Sequence, residues 1–320
     1  MRGTRRNVAA AEPEVEAPQP EPSVGPRWAA VIVNYNAGPM LEACVRSLLA
    51  DTSAGGPPEV VVVDNASTDG SAEPVEAGFP EVTVVRASAN VGFARGNNRG
   101  VATTRAPIVA AINPDVEVEP GTARALLARF DAEDDLGAVG PRVHNPDGTQ
   151  YPSARTVPSA TDALGHATFG RLWPTNPFTR RYHRMDEDHS TRHDVDWLSG
   201  SALWLRRTAF DDIGGWDEQF FLYLEDVDLC TRLREHSWRV AYDPTASVLH
   251  VQGVSAAGHP FRTIVEHHRS AFRYATKHWR GVRRLLLGPA VVLLAVRGLA
   301  DVIATGLGRA QRTRAPHSLS

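Results

Sequence analysis

The stretch IVAAINPDVEVEP, Ile108 to Pro120, runs five apolar residues straight into Asn113-Pro114-Asp115. A short, continuous apolar run of this kind reads as a strand buried on both faces of a parallel sheet. Its end admits two readings. Proline fixes φ, and Asn and Asp tolerate turn geometry, so NPD could be a plain turn. An Asp held just beyond the carboxyl end of a buried strand is also well placed to carry a hard cation and a phosphate. The choice depends on what else the chain brings to that point.

Upstream, apolar runs alternate with helical spacing. Ala29 to Val33 is a short apolar run, EVVVVD (Glu59 to Asp64) a second strand and EVTVVR (Glu81 to Arg86) a third. Leu41, Val45, Leu48 and Leu49 give Gly38 to Leu49 helical spacing, and Phe93 to Thr103 reads as a helix. β-Branched runs separated by helices predict an α/β fold with a mostly parallel central sheet flanked by helices. In such sheets ligands sit beyond the carboxyl ends of the strands. The four strand ends carry NYNAG (Asn34 to Gly38), DNASTDGS (Asp64 to Ser71), SANVGFARGNN (Ser88 to Asn98) and NPD. One polar, Gly- or Asn-rich end is ordinary loop chemistry; four in series suggest a built pocket. No G-x-G-x-x-G follows the first strand and no P-loop is present, which argues against a dinucleotide-binding dehydrogenase or a P-loop enzyme.

Downstream, Asn145 to His193 is rich in Pro, Arg, His, Thr and Asp and has little periodicity. Stretches of that length inside a compact domain are usually functional or mobile. Regularity returns at DVDWLSGSALWLRR (Asp194 to Arg207), strand-like around Ser199-Gly200-Ser201. GGWDEQFFLYLEDVDLCTRLRE (Gly214 to Glu235) follows, helical in its second half. Strands are expected at Trp238 to Tyr242 and Ser247 to Val251. The region from Arg262 to Arg314 holds ten Arg and Lys277 against two acids, Glu266 and Asp301. Its apolar segment, Leu285 to Leu307, is long enough to span a bilayer, but Arg297 and Asp301 interrupt it and Gly288-Pro289 kinks it. A helix lying in a membrane interface fits better, and a helix packed on the domain is the plain alternative.

The chain has 320 residues, 42% hydrophobic and 22% charged, with a net charge of −3. That suits one large α/β domain or two smaller ones and gives no global case for nucleic-acid binding. Cys44 and Cys230 stand far apart without C-x-x-C spacing, so two reduced, buried thiols are expected. Residues 1–27 lack an apolar signal segment and are rich in Pro, Glu and Ala; a disordered tail is expected there. A cytoplasmic setting fits.

In order, VIVNYN, VVVDNASTDGS, NVGFARGNN, NPD, WLSGSALWLRR and GGWDEQFFLYLEDVDLCTR resemble the inverting glycosyltransferases of family 2, which have the GT-A fold. The resemblance covers about Ala29 to Val254, and within the family it leans toward bacterial rhamnosyltransferases. It implies a GT-A catalytic domain over 28–261, with a nucleotide-binding half at about 28–115 and an acceptor half at about 116–261. A C-terminal helical extension over 262–320 follows, basic and apolar, and membrane association is expected of it. The nucleotide-sugar side is assigned to Asn34, Asn36, Asp64, Asn65, Asn90, Gly92, Asn97 and Asn113. Asp64 would accept the pyrimidine N3–H, as a carboxylate can; an Asx turn at DNAS is compatible with that role. NVGFARGNN would set a helix start near the diphosphate, where backbone N–H groups favour anions; helix capping is the plain alternative for Asn90 and Asn97.

NPD matches the family's D-x-D motif with Asn113 in the first acidic position, so Asp115 becomes the metal carboxylate for Mg²⁺ or Mn²⁺, with His250 as a second ligand. The uncharged Asn113 would leave metal affinity leaning on the phosphates. In LEDVDL the resemblance makes Asp226 the catalytic base. The acceptor side is assigned to Trp197, Ser199, Gly200, Trp216 and Glu225, with aromatic walls for a sugar ring. For Trp197 core packing is the alternative, and for Glu225 and Asp226 a favourable place in the first turn of a helix.

The resulting expectation is a single in-line displacement from a dTDP- or UDP-sugar, dTDP-L-rhamnose first, onto a lipid-linked or polysaccharide acceptor. The enzyme would sit on an anionic membrane surface, peripheral to the inner face of the cell membrane. Galactofuranose or glucose from a UDP donor is the alternative sugar. A nucleotidyltransferase would need a Gly-rich, basic loop after the first strand, which NYNAG lacks; a non-catalytic sugar-nucleotide-binding scaffold would have no reason to keep both Asp115 and Asp226. Oligomeric state is not fixed by the sequence.

Overall fold

A computed structural model describes residues 25–157, 165, 168–170, 173–183, 190–251, 260–288, 290–292, 294–296 and 298. The N-terminal tail expected over 1–27 therefore lies outside the described residues except for Gly25 to Arg27, as do parts of 145–193 and much of 285–307.

The chain alternates strand and helix through β1 (Trp28–Asn34), α1 (Met40–Ala50), β2 (Glu59–Asp64), α2 (Glu73–Gly78), β3 (Thr83–Arg86), α3 (Phe93–Thr103) and β4 (Ile108–Ile112). Then come β5 (Val116–Val118), α4 (Thr122–Ala132), β6 (Leu136–His144), β7 (Gln150–Tyr151), β8 (Ala154–Arg155) and α5 (Pro177–His183). The remainder is β9 (His193–Asp194), β10 (Trp197–Leu198), β11 (Ala202–Arg206), α6 (Arg207–Asp212), α7 (Glu225–Glu235), β12 (Arg239–His250) and α8 (Pro260–His278). Two of the expected elements come out differently. The single strand read over Asp194 to Arg207 is three short ones, interrupted where Ser199 to Ser201 turns toward the site. The two strands expected between Trp238 and Val251 are one long strand, β12, with a register shift at Arg239/Val240 and another, at the polar DPT segment, between Asp243 and Ser247.

The main sheet runs β3-β2-β1-β4-β11-β6-β12-β5. β1 pairs in parallel with both β2 and β4, so the chain winds outward to β3 and then returns to the other side of β1. Such a reversal opens a crevice beyond the strand ends. It leaves Asn34 and Asn113 at the adjoining ends of β1 and β4. β11 and β5 are antiparallel to their neighbours, which makes the sheet mixed on its far side.

Both sheet faces are covered, as continuous apolar strands require. One core joins Ile32, Leu41, Leu48, Ile112, Leu126 and Trp204; the other joins Val31, Val63, Leu203, Trp216 and Leu229. α3 packs on β1 and β2 through glycines: a Cβ on Gly100 would lie 2.3 Å from Val31 Cγ1 and one on Gly96 2.8 Å from Val33 Cγ1. Cys44 and Cys230 are free and fully buried. Burial pushes the Cys44 thiol far up and the Cys230 thiol up to about 12, so both stay protonated.

α8 begins the region that the sequence divides from the catalytic domain, yet it packs on that domain. Tyr274 and Ala275 are buried, and Tyr274 Oη meets Thr231 Oγ1 at 3.0 Å. Lys277 Nζ lies 2.6 Å from Asp217 and 2.7 Å from Asp228, and His278 Nε2 2.8 Å from Asp228. Burial alone would push the Asp228 carboxyl up; His278, Arg232 and Lys277 outweigh it and hold the carboxyl low.

Replacing Gly100 by Ala should destabilise the fold. The added methyl forces overpacking of about 1–3 kcal/mol, against a helix-propensity gain of at most about 1 kcal/mol. Equilibrium denaturation should give a lower midpoint at unchanged slope; an unchanged or raised midpoint would contradict the close α3–β1 packing.

Candidate active site

A cavity of about 480 Å³ opens at the carboxyl ends of β1 and β4. From the first part of the chain it is lined by Asn65, Asn90, Gly92, Asn113 and Asp115; from the second by Trp197, Ser199, Gly200, Glu225, Asp226 and His250. Asp115 and Asp226, 111 positions apart in sequence, thus face one space.

β-Pairing brings Asp115 and His250 together. His250 is in register with Val116 across the β12–β5 ladder, and Val251 N donates to Asp115 O at 3.0 Å. His250 Nε2 then lies 3.2 Å from Asp115 Oδ1. That separation is close to the spacing of adjacent donors around a small divalent cation, about 3 Å for ligands about 2.1 Å from the ion. Among the described residues no group of three or more His, Cys, Asp or Glu side chains is placed to hold a metal. One carboxylate and one imidazole suit a cation that completes its sphere with water and substrate phosphates, so the pair fits the divalent ion expected from the sequence. Asn113 stands in the same turn, with its N–H donating to Ser201 O at 2.9 Å.

Asp226 lies in the first turn of α7, reached through a strained bend. Tyr223 and Leu224 both take left-handed backbone conformations, φ +69° and +60°, at a cost of about 1–2 kcal/mol each. α8 holds the bend down: Ser270 Oγ donates to Leu222 O at 2.9 Å, and His267 packs edge-on against Tyr223. Asp226 Oδ2 accepts from Gly200 N at 2.9 Å and Oδ1 from Val227 N at 2.8 Å. Burial raises its pKa; these N–H donors and the nearby Arg155 charge oppose the rise without cancelling it. Glu225 is buried too, and its Oε2 has no partner. Burial, reinforced by the adjacent Asp226 charge, holds its carboxyl well above the ordinary range. Two neighbouring carboxyls therefore differ in environment, the arrangement that separates proton-holding roles.

Five of the expected site residues do not line the cavity. Asn34 is fully buried and donates to Asp64 Oδ1, Ser67 Oγ and Ser71 Oγ at 3.0, 3.1 and 2.8 Å. Asn36 accepts from Thr68 N at 2.8 Å. Asp64, 2% exposed, shares its oxygens between Asn34 and the Arg86 guanidinium at 3.1 Å. Asn97, inside α3, donates back to Phe93 O one turn earlier at 3.0 Å. Trp216 is core, edge-on to Phe93. The hydrogen bonds that Asn34, Asn36, Asp64 and Asn97 make, and the ring packing of Trp216, brace the loops around the cavity, while Asn34 Oδ1 and Asn97 Oδ1 stay buried without a partner among the described residues. Asn65 does both: it lines the cavity, donates to Asn90 Oδ1 at 2.9 Å and accepts from Val91 N at 2.9 Å.

Several cavity residues escaped the sequence reading. Tyr35 follows β1 directly, and the strand-end rule could have found it. Tyr151 and Arg155 fall in the aperiodic stretch, where no pattern marks them. The Arg155 guanidinium stacks over the Tyr151 and Trp197 rings, 5.5 and 5.0 Å from their centroids, and its Nε donates to Pro152 O at 2.6 Å. Arg262, Thr263, Glu266 and His267 of α8 complete the lining; they lie just past the boundary drawn from sequence.

Residues 29–214 match the family model for glycosyl transferase family 2. The N-acetylglucosaminyl-diphospho-decaprenol L-rhamnosyltransferase of Mycobacterium tuberculosis H37Rv is 37% identical over 278 residues, covering 82% of this chain and 90% of that protein. The pre-mycofactocin glycosyltransferase of the same organism is 33% identical over 60% of this chain and 37% of its own length. Among solved structures, the mannosyltransferase PcManGT of Pyrobaculum calidifontis in complex with GDP-Man and Mn²⁺ superposes with a TM-score of 0.52 at 17% identity. It covers 92% of this chain and 83% of that one. GalNAc-T7 with UDP, GalNAc and Mn²⁺ gives 0.53 at 16% identity, over 71% of this chain and 43% of that one. At such identities the structural likeness speaks for the fold. Together with the cavity at the β1/β4 strand ends, the family match and the long relative establish that the chain is a glycosyltransferase and belongs to glycosyl transferase family 2.

Proposed function

We propose that the enzyme moves L-rhamnose from dTDP-L-rhamnose to a hydroxyl of a polyprenyl-diphosphate-linked sugar, with inversion at the anomeric carbon. The observation that carries this reading is the meeting of Asp226 with the Asp115–His250 pair in one cavity. The choice of sugar and acceptor is supported by the relative named for that transfer, which matches this chain over 90% of its own length.

Asp226 is the base. Its carboxylate is oriented by the Gly200 and Val227 N–H groups, and it takes the acceptor hydroxyl's proton as that oxygen attacks the anomeric carbon. The bond from the anomeric carbon to the diphosphate oxygen breaks with its electron pair leaving on the diphosphate, so a single displacement inverts the centre. Asp115 and His250 would hold a divalent ion, Mg²⁺ or Mn²⁺; when bound, it supplies positive charge beside the departing diphosphate. Tyr35 offers a ring for the pyrimidine. Trp197 and Tyr223 wall the sugar space. Glu225, whose carboxyl burial holds above its ordinary range, can hydrogen-bond a sugar hydroxyl.

Among the described residues no helix is long and apolar enough to cross a membrane. Val282, Leu285 and Val292 are nonetheless well exposed beside Arg280 and Arg284. We assign this region to an anionic membrane surface, where a lipid-linked acceptor resides.

Incubating the enzyme with dTDP-L-rhamnose and a short-chain prenyl-diphosphate-linked N-acetylglucosamine should yield a rhamnosylated lipid of inverted configuration; a product formed only from another nucleotide sugar would replace the donor. Asp226→Asn should cut kcat by about 10²–10⁴ with donor affinity largely kept, and near-normal turnover would remove the base. The acid limb of kcat against pH should lie above the ordinary Asp value of about 3.9, because burial raises the base's pKa; a limb at or below that value would contradict the assignment. Asp115→Ala should abolish the Mn²⁺-dependent gain in dTDP affinity measured by calorimetry. Equal affinity for dTDP with Mn²⁺ and with EDTA in the wild-type protein would rule out the metal role.

A further inference from the structure

Among the described residues two guanidinium groups line the cavity, and neither is paired with an acid. Arg155, inside, is held by two rings and a carbonyl. Arg262, at the mouth, lies over the Phe221 ring 4.6 Å from its centroid. The absence of a carboxylate partner at Arg262 needs explaining, because Glu266 stands four residues on along the same helix. That spacing favours an ion pair. Glu266 instead meets Arg269, at 3.3 Å. Among the described residues Arg262 has no ion pair, although the same cavity holds Asp115, Glu225 and Asp226. A charge parked on an aromatic face, beside acids it does not use, is available to an anion brought from outside.

The reaction proposed above brings two anionic groups, the donor diphosphate and the acceptor diphosphate. Asp115 and His250 provide for the first, on the β4 and β12 side of the cavity. Arg262 stands on a different element, α8. α8 exposes Phe261, Val265 and Phe272, and beyond it Val282, Leu285 and Val292 are exposed in turn. A lipid-linked sugar needs a cavity for the sugar, a cation for its diphosphate and exposed apolar surface for its chain, and α8 supplies the second and part of the third.

We propose that Arg262 binds the diphosphate of a polyprenyl-diphosphate-linked acceptor, so that α8 is the element that selects lipid-linked acceptors. The assignment rests on the lipid-acceptor reading and adds the residue that enforces it. Guanidinium and diphosphate match in planar, forked hydrogen bonding, which an ammonium group reproduces only in charge.

The test compares two acceptors with the full chain: farnesyl-diphosphate-linked N-acetylglucosamine and octyl N-acetylglucosaminide, which lacks the diphosphate. Arg262→Ala should raise KM for the diphosphate acceptor and lower the ratio of the two kcat/KM values by about 10-fold or more. kcat at saturation and the donor KM should change little, and Arg262→Lys should recover part of the ratio. An equal loss on both acceptors, or a rise in donor KM alone, would overturn the role of Arg262 while leaving the lipid-acceptor reading standing. Wild-type enzyme that prefers the octyl glycoside, or ignores the diphosphate acceptor, would take down that reading and the inference with it.

Discussion

The backbone hydrogen bond from Phe93 N to Phe221 O, 2.8 Å long, ties the two halves of the site to each other. On one side is the start of α3; on the other is the aromatic bend that leads into Asp226. The contact requires glycine next door. Gly92 has φ +86°, and a Cβ there would sit 2.5 Å from the same Phe221 oxygen. This bond fixes where the bend runs, and the bend fixes where Glu225 and Asp226 enter the cavity. Two consecutive left-handed residues, Tyr223 and Leu224, are the strain that accompanies this placement. α8 stabilises it from outside through Ser270 and His267.

The charges of the cavity are arranged by what holds each one. Asp115 is matched to His250. Asp226 is matched to backbone N–H groups, with Arg155 acting at a distance. Among the described residues Glu225 has no partner for Oε2, and burial raises its pKa. The two arginines are supported by rings and not by acids, which leaves their charge for substrate. A site that neutralised these groups among themselves would bind a nucleotide sugar weakly and would have no base to offer. Core strength comes from elsewhere: the parallel strands β1, β2 and β4, covered on both faces, carry almost no polar side chain until their last residue.

Much of this was legible in the sequence, and the reasons are specific. The β-branched runs at Val60 to Val63 and Ile108 to Ile112 can be little else than buried parallel strands, and the strand-end rule then pointed to Asn113 and Asp115. The motif order of the family carried Asp226 and His250, which no local pattern would have singled out. The sequence could not tell a side chain that lines the cavity from one that braces the loop behind it. Asn34, Asn36, Asp64, Asn97 and Trp216 have the residue types of a binding site, but their hydrogen bonds or packing are spent on neighbours brought in by folding. Arg155 was invisible because two-residue strands leave no periodic trace. Arg262 was hidden by a domain boundary drawn at the end of the motif-bearing region; α8 belongs by contact to the catalytic body, through Asp228, Lys277 and His278.

The central claim is that the donor diphosphate and the base share one cleft between β4, β12 and α7. An anomalous difference map from crystals grown with Mn²⁺ and dTDP tests it most directly. The account predicts one Mn²⁺ peak bonded to Asp115 and His250, with the terminal phosphate of dTDP between that peak and Asp226. A peak on other residues, or a nucleotide bound with Asp226 on the far side of the protein from its phosphates, would contradict it.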